Sequence, residues 1–179
     1  MAFALITGTR PEIIKMFPVI RAFDSEGIDY KFIHTGQHHD YELFLKFVED
    51  LNIKIPDYSI SLASSSGPEQ LSEMILKIGI VFKQIKPSSV LIQGDTNSVV
   101  SSGLAAIKSR IPLVHLEAGL RSYDWRTPEE HNRRIVDHMS NVLFAPTVKS
   151  ERNLRKEQVP GSIFTVGNTV IDAVKLGMQ

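Results

Sequence analysis

The chain has 179 residues, within the ~100–200 residues usual for one domain, and 42% of them are hydrophobic, enough to build a core. Twenty Lys+Arg balance twenty Asp+Glu, which excludes a protein whose surface as a whole is built for nucleic acid but leaves room for a local anion site. With no cysteine, disulfides, thiolate metal centres and a Cys nucleophile are excluded.

Short apolar runs alternate with longer amphipathic ones. Phe3–Thr7 reads as a buried strand and Glu12–Ser25 as a helix opened by Pro11, a residue favoured at helix starts. Tyr30–His34 is a second strand and Tyr41–Leu51 a second helix. Ala63–Pro68 (ASSSGP) reads as a surface loop. Leu71–Lys86 is helical and ends at Pro87. Val90–Gln93 is a strand, followed by a helix of small residues over Ser98–Ser109. Leu113–Leu116 is a strand, Pro128–Ser140 a helix, Val142–Ala145 a strand and Val148–Glu157 a helix. Ile163–Val166 is a last strand and Val170–Leu176 begins a last helix. No leader or membrane span is expected: the N-terminus lacks a basic segment with an apolar stretch and cleavage site, and the apolar runs fall far short of ~20 residues.

Strand–helix alternation with near-continuous apolar strands predicts a parallel sheet covered by helices on both faces, a Rossmann-like doubly wound α/β fold. Right-handed crossovers then bring the carboxyl ends of all strands to one edge, where such sheets bind ligands. The segments after the strands are Gly8-Thr9-Arg10-Pro11-Glu12, Thr35-Gly36-Gln37-His38-His39-Asp40, Gly94-Asp95-Thr96-Asn97 and Glu117-Ala118-Gly119-Leu120-Arg121-Ser122. Charge and glycine therefore converge on one edge, whereas Ser25–Asp29 and Ser109–Pro112 at the other edge carry no such cluster.

Each segment has a bland reading beside the functional one. Gly8 lets backbone approach a ligand at a helix N-terminus, and Arg10 adds a guanidinium suited to a diphosphate; the alternative is an ordinary helix start with a surface arginine. No G-x-G-x-x-G occurs, so a dinucleotide cofactor is not expected. Lys15, one turn on, either reaches the same anion or is solvated. Asp95 either belongs to a site or caps the next helix. Glu117 leaves an apolar strand with no adjacent charge, so partial desolvation is expected, a setting that suits acid–base work; a structural bond to loop backbone is the alternative. In Pro128–Arg134, Glu129/Arg133 and Glu130/Arg134 are both spaced i, i+4 and point about 100° apart, with Ile135, Val136 and Met139 facing the core. That acidic start also suits the helix dipole alone. His115 reads as a satisfied core histidine, and Trp125 as either a lid residue or an anchor. His38 and His39 are adjacent and point apart, and no zinc site is expected.

On these residues the chain resembles the non-hydrolysing UDP-N-acetylglucosamine 2-epimerases. GTRPEIIK (Gly8–Lys15), TGQH (Thr35–His38), GDT (Gly94–Thr96), HLEAGLRS (His115–Ser122), PEEHNRR (Pro128–Arg134), LFAPT (Leu143–Thr147) and VGNTVIDA (Val166–Ala173) occur in the family's order along the whole chain. Thr96 and the Ala118–Arg121 segment favour the non-hydrolysing branch. The resemblance implies the N-terminal half of a glycosyltransferase-B-type architecture: a domain over residues 1–167, the start of an interdomain connection over 168–179, and a second nucleotide-binding domain outside the chain.

The implied activity is a cofactor-free isomerisation of UDP-N-acetylglucosamine and UDP-N-acetylmannosamine, serving cell-surface polysaccharide biosynthesis. By motif, Asp95, Glu117 and Glu129 match the family's catalytic carboxylates, and Arg10, Lys15 and Arg133 its substrate-contacting cations. The partners expected are a UDP-sugar, the missing C-terminal domain and a second copy in a full-length homodimer, in the cytoplasm, with neither nucleic acid nor membrane. The alternatives are an epimerase of another UDP-2-acetamido sugar, or a binding domain without catalysis. Where many bacterial members carry glutamine at a regulatory second site, this sequence has Phe44.

Overall fold

The computed structural model describes residues 2–37, 41–63 and 66–177. In chain order they form β1 (Phe3–Thr7), α1 (Arg10–Ser25), β2 (Tyr30–Gln37), α2 (Tyr41–Asp50), β3 (Tyr58–Leu62), α3 (Gly67–Ile85) and β4 (Ser89–Gln93). There follow α4 (Asn97–Lys108), β5 (Leu113–Leu116), α5 (Pro128–Met139), β6 (Val142–Ala145), α6 (Val148–Lys156), β7 (Ser162–Thr165) and α7 (Thr169–Gly177). The strands make one sheet in the order β3-β2-β1-β4-β5-β6-β7, and every neighbouring pair is parallel. This is the Rossmann-like doubly wound fold expected from the strand–helix alternation.

Burial on both faces explains the uninterrupted apolar strands. In β1, Ala4 and Ile6 join a core with Met74, Ile78 and Phe82 of α3 and Val99, Val100, Ala105 and Ala106 of α4. Leu5 points the opposite way, into a core with Ile13, Met16, Phe17 and Ile20 of α1 and Phe44 and Val48 of α2. Fully burying one such Leu, Ile or Phe contributes ~1.5–3 kcal/mol, so the period-two alternation of β1 stabilises two layers at once. The small residues of α4 let it sit close: a Cβ added at Gly103 would lie 2.9 Å from the Met139 methyl and 3.3 Å from Leu113. A third cluster, Ala118, Leu143, Ala145 and Leu154, seats α6 on β6. Helix α7 returns to α1, with Ala173 and Leu176 in the same core as Ile13 and Phe17. No helix among the described residues is long and apolar enough to cross a membrane.

Two features depart from the sequence reading. Tyr58–Leu62 is a seventh strand, overlooked because only Ile60 in Tyr-Ser-Ile-Ser-Leu is fully buried and an edge strand need not be apolar on both faces. Its pairing, Thr35↔Ile60 through Gln37↔Leu62, draws Thr35–Gln37 into β2, where a loop was expected. Ile135 is 45% exposed rather than part of the core, while Val136 beside it is fully buried. His38, His39 and Asp40, and Ser64 and Ser65 of the expected loop, lie outside the described residues.

Two glycines allow opposite predictions. Gly119, after β5, has φ +81°, and a Cβ there would lie 2.3 Å from the Ser150 carbonyl oxygen and 2.8 Å from Leu154. Left-handed backbone and overpacking together set a cost of ~3 kcal/mol for Gly119→Ala. Gly79, inside α3, has nothing within 4 Å of an added Cβ, so Gly79→Ala is expected to stabilise by ~0.5–1 kcal/mol. Urea midpoints of the two variants, moving in opposite directions from the parent, check both.

Candidate active site

The carboxyl ends of β1, β2 and β4 open into a cavity of about 710 Å³, within the range of small-molecule sites. Three helix starts line it: Gly8, Thr9, Arg10 and Pro11 at α1, Thr96, Asn97 and Ser98 at α4, and Pro128, Glu129 and Asn132 at α5. Thr9, Thr96 and Thr127, the residues preceding these helices, make no side-chain cap, whereas Thr147 caps α6 by accepting the Ser150 N–H. Positive helix ends meeting at one space favour an anion there. Close approach of α4 requires the glycine at position 8, where a Cβ would lie 2.1 Å from the Ser98 hydroxyl oxygen.

Glu12 ties two of these turns together. Its buried carboxylate accepts the Gly8 N–H at 2.5 Å and the Thr96 hydroxyl at 2.6 Å. Burial raises its pKa, and the bonds from Thr96 and Gly8 oppose that rise without cancelling it. The sequence reading gave Glu12 no role beyond opening a helix. The available signal was its spacing from Gly8, which lets a carboxylate fold back onto the N–H of the turn.

The six residues singled out from sequence fall into three groups. Arg10 and Glu129 are exposed on the cavity wall. Asp95 and Arg133 form an ion pair, and Asn132 donates to the Asp95 carbonyl at 2.8 Å. Lys15 reaches both carboxylate oxygens of Glu117, at 2.9 and 2.7 Å, so it is not a solvated lysine. Gln93 also donates to Glu117, Asn168 lies 3.4 Å from it, and its side chain is 12% exposed. The partial desolvation expected of Glu117 is present, but its charge has a partner supplied from 102 residues away in sequence. Glu117 also holds φ at +68°, a left-handed conformation that costs a non-glycine residue ~1–2 kcal/mol and fixes where the carboxylate leaves the strand.

The helical spacings of α5 are used unequally. Buried Glu130 takes Arg134 at 3.0 Å. Arg133 turns to Asp95 instead of Glu129, and no ion pair holds Glu129 among the described residues. Glu130 also accepts the Ser122 N–H at 2.8 Å, which makes it a support for the loop after β5. Trp125 is 55% exposed, with the Arg134 guanidinium 4.5 Å above its ring. Among the described residues no group of three His, Asp or Glu is placed to hold a metal ion.

The apolar side of the cavity comes from His34, Phe44, Leu62 and Met74. The rings of His34 and Phe44 stack with centroids 3.6 Å apart and planes 14° from parallel. Burial lowers the His34 pKa to about 4, a bond with the Thr7 backbone opposing part of the effect.

Fold and site together define a Rossmann-like α/β domain, with acids and cations gathered at the carboxyl edge of its sheet. The family model described as UDP-N-acetylglucosamine 2-epimerase matches residues 21–179. The chain is 45% identical over 174 residues to the UDP-N-acetylglucosamine 2-epimerase of Methanocaldococcus jannaschii, covering 97% of this chain and 48% of that protein. A crystal structure of the M. jannaschii enzyme in complex with UDP-GlcNAc and UDP superposes with a TM-score of 0.93 at 44% identity, covering 98% of this chain and 49% of that one. The UDP-2,3-diacetamido-2,3-dideoxy-D-glucuronate 2-epimerase of Pseudomonas aeruginosa is 37% identical over 177 residues, covering 97% of this chain and 50% of that protein. Acinetobacter baumannii MurG, 16% identical with a TM-score of 0.59 over 83% of this chain and 43% of that one, shares the fold alone. The chain belongs to the UDP-N-acetylglucosamine 2-epimerase family. It spans about half the length of the curated relatives it matches.

The lowered His34 pKa sets an acid sensitivity. Below pH ~6.5 the unfolded histidine takes up a proton, whereas the folded one does so only near pH 4. Folding stability therefore falls as pH drops through that window, and above it the group has no effect. Between pH 7 and 4.5 His34→Phe is expected to lose ~2–3 kcal/mol less than the parent, read from urea midpoints at both values.

Proposed function

We propose that the chain forms half of a non-hydrolysing epimerase that interconverts UDP-N-acetylglucosamine and UDP-N-acetylmannosamine. The observation that carries this reading is the meeting of three helix N-termini and Arg10 on one cavity, with two cation–carboxylate pairs in the turns after β4 and β5. Such an edge can hold a diphosphate leaving group and still present acids and bases to the sugar beside it. The relatives named as UDP-N-acetylglucosamine 2-epimerases, one of them in complex with UDP-GlcNAc and UDP, support the same substrate class.

In this mechanism a carboxylate removes the proton from C2 while UDP departs, leaving a 2-acetamidoglucal. UDP then adds back at C1 as C2 is protonated from the opposite face. One group cannot readily serve both faces, which accounts for a set of acids, Asp95, Glu117 and Glu129, rather than one. UDP must stay bound between the two halves of the reaction. Arg10 and the helix ends answer that need. Arg133 and Lys15 keep donors beyond those given to Asp95 and Glu117, since a guanidinium has five N–H groups and an ammonium three. The pairing also fixes the direction in which each carboxylate points.

We assign residues 1–167 to the first domain and 168–179 to the start of the connection. A second domain, matching the other half of the relatives' length, would close the cleft in a cytoplasmic homodimer acting in polysaccharide biosynthesis. The likeness to the P. aeruginosa diacetamido-glucuronate epimerase favours one second reading, another UDP-2-acetamido sugar as substrate.

Incubating the full-length protein with UDP-N-acetylglucosamine in D2O tests the reaction. Exchange of the C2 proton with appearance of the manno epimer is expected by proton NMR. Absence of both in a folded protein that binds UDP removes this substrate. Asp95→Asn and Glu117→Gln are each expected to lower kcat by ~10²-fold or more with the circular dichroism spectrum unchanged, and a fully active Glu117→Gln would remove that residue from the chemistry. Arg10→Ala is expected to weaken UDP binding by roughly tenfold, about the worth of one charge-assisted hydrogen bond, measured by calorimetry.

A further inference from the structure

The turns that carry Asp95 and Glu117 both contain left-handed backbone, with φ of +89° at Gly94, +68° at Glu117 and +81° at Gly119. Turns of this kind keep their shape only when the surroundings over-determine them. Beneath them lies a fully buried chain of polar groups that the proposed chemistry does not use. His115 Nε2 lies 2.9 Å from the Gly94 carbonyl oxygen, which can only accept, so this nitrogen donates. His115 Nδ1 meets Asp137 Oδ1 at 2.8 Å. The other oxygen of Asp137 accepts the Gly119 N–H at 3.1 Å and Arg121 Nη1 at 2.7 Å. His115, Arg121 and Asp137 side chains are between 0% and 1% exposed. Burial pushes the Asp137 pKa up, but the bonds and charges of His115 and Arg121 outweigh it and hold the carboxyl below its ordinary value.

The chain therefore runs from the residue before Asp95, through one imidazole and one carboxylate, to the second residue after Glu117. Asp137 also stands one helical turn beyond Arg133, the partner of Asp95, and so on the same side of α5. Arg121 is braced from behind by Glu157 at 3.0 and 2.6 Å, and Arg134 of α5 reaches the same carboxylate at 2.7 Å. One buried unit thus sets the spacing of the two turns and the register of α5 against them. A core histidine required only for packing would need neither the Gly94 carbonyl nor a carboxylate shared with the Gly119 N–H.

We propose that His115 and Asp137 are positioning residues for the epimerase reaction, clamping the Asp95 and Glu117 turns at the separation at which their carboxylates work. The proposal rests on the epimerase reading. Misplacement of a reacting group by about 1 Å costs on the order of 100-fold in rate, and a loss confined to the chemical step appears in kcat rather than KM.

The test uses the full-length protein. His115→Gln places an amide N–H where Nε2 stood, keeping the Gly94 bond and losing Asp137. His115→Asn places one where Nδ1 stood and does the reverse. Each is expected to lower kcat by roughly 10- to 100-fold with KM within threefold of the parent, Asp137→Asn to do the same, and UDP binding to stay within threefold. Variants that fold with a lower Tm but keep the parent kcat overturn the proposal. Hydrogen exchange supplies a readout that needs neither activity nor a folded variant. In the parent the Gly119 amide is expected to exchange only with global unfolding, and fast exchange there overturns the clamp. If the parent shows no C2 exchange on UDP-N-acetylglucosamine, the epimerase reading falls by itself. Gly119 protection that is high in the parent and lost in His115→Gln or Asp137→Asn then supports the clamp as a property of these turns, and unchanged protection overturns it.

Discussion

Between β1 and β4 the direction of winding reverses. β1 has β2 on one side and β4 on the other, so the crossover leaving β1 must travel away from the crossover leaving β4. Their helices consequently cover opposite faces of the sheet, α1 with the core of Leu5 and Phe32, α4 with the core of Ala4 and Ile6. No helix can cover the carboxyl ends of these two central strands, and a crevice opens there. The cavity walled by the starts of α1, α4 and α5 is the product of that reversal. Arg10 and Glu129 line this gap, while Glu117 faces a separate pocket beside Phe144, Pro146 and Asn168.

A gap alone provides no chemistry, and the residues near it divide their work. Backbone supplies the positive field through helix ends. Charged side chains are mostly not aimed into the open space but paired with one another, Lys15 with Glu117 and Arg133 with Asp95. For partly buried groups the attraction of such a pair is largely offset by the cost of desolvating it, so their value is better sought in keeping each carboxylate oriented. Glu12 and Glu130 belong to a different class. Both are buried and bonded to backbone N–H groups of the turns, and they shape the loops without facing the cavity.

The buried His115–Asp137–Arg121 chain adds a deeper layer. Desolvating three ionisable groups is costly, and replacing such a network by apolar residues often leaves stability unchanged or improves it. A protein selected only to fold would have little reason to keep it. What an apolar replacement cannot do is accept the Gly119 N–H and donate to the Gly94 carbonyl at once, and those backbone groups belong to the two turns that carry the acids.

The sequence by itself determined the fold class and the edge on which the site lies, because apolar period and turn residues are local signals that survive without contacts. Charge at the carboxyl end of a buried strand, visible in one dimension, drew attention to Arg10 and Glu117, whereas Lys15, Asp95, Glu129 and Arg133 stood out through the family resemblance. The half-polar edge strand β3 escaped, because its role depends on what pairs with it. The choice of partners escaped for the same reason. Helical spacing offered Glu129 to Arg133, yet Asp95 takes that arginine; nothing adjacent offered a partner to Glu117, yet Lys15 comes from another helix. His115 looked like a satisfied core residue, which it is, but only the tertiary structure decided that what satisfies it are the Gly94 carbonyl of one turn and Asp137, which accepts the Gly119 N–H of the other. Pairing of charges and clamping of turns are relations between residues far apart in the chain, and only the folding that brings them within three ångströms can settle them.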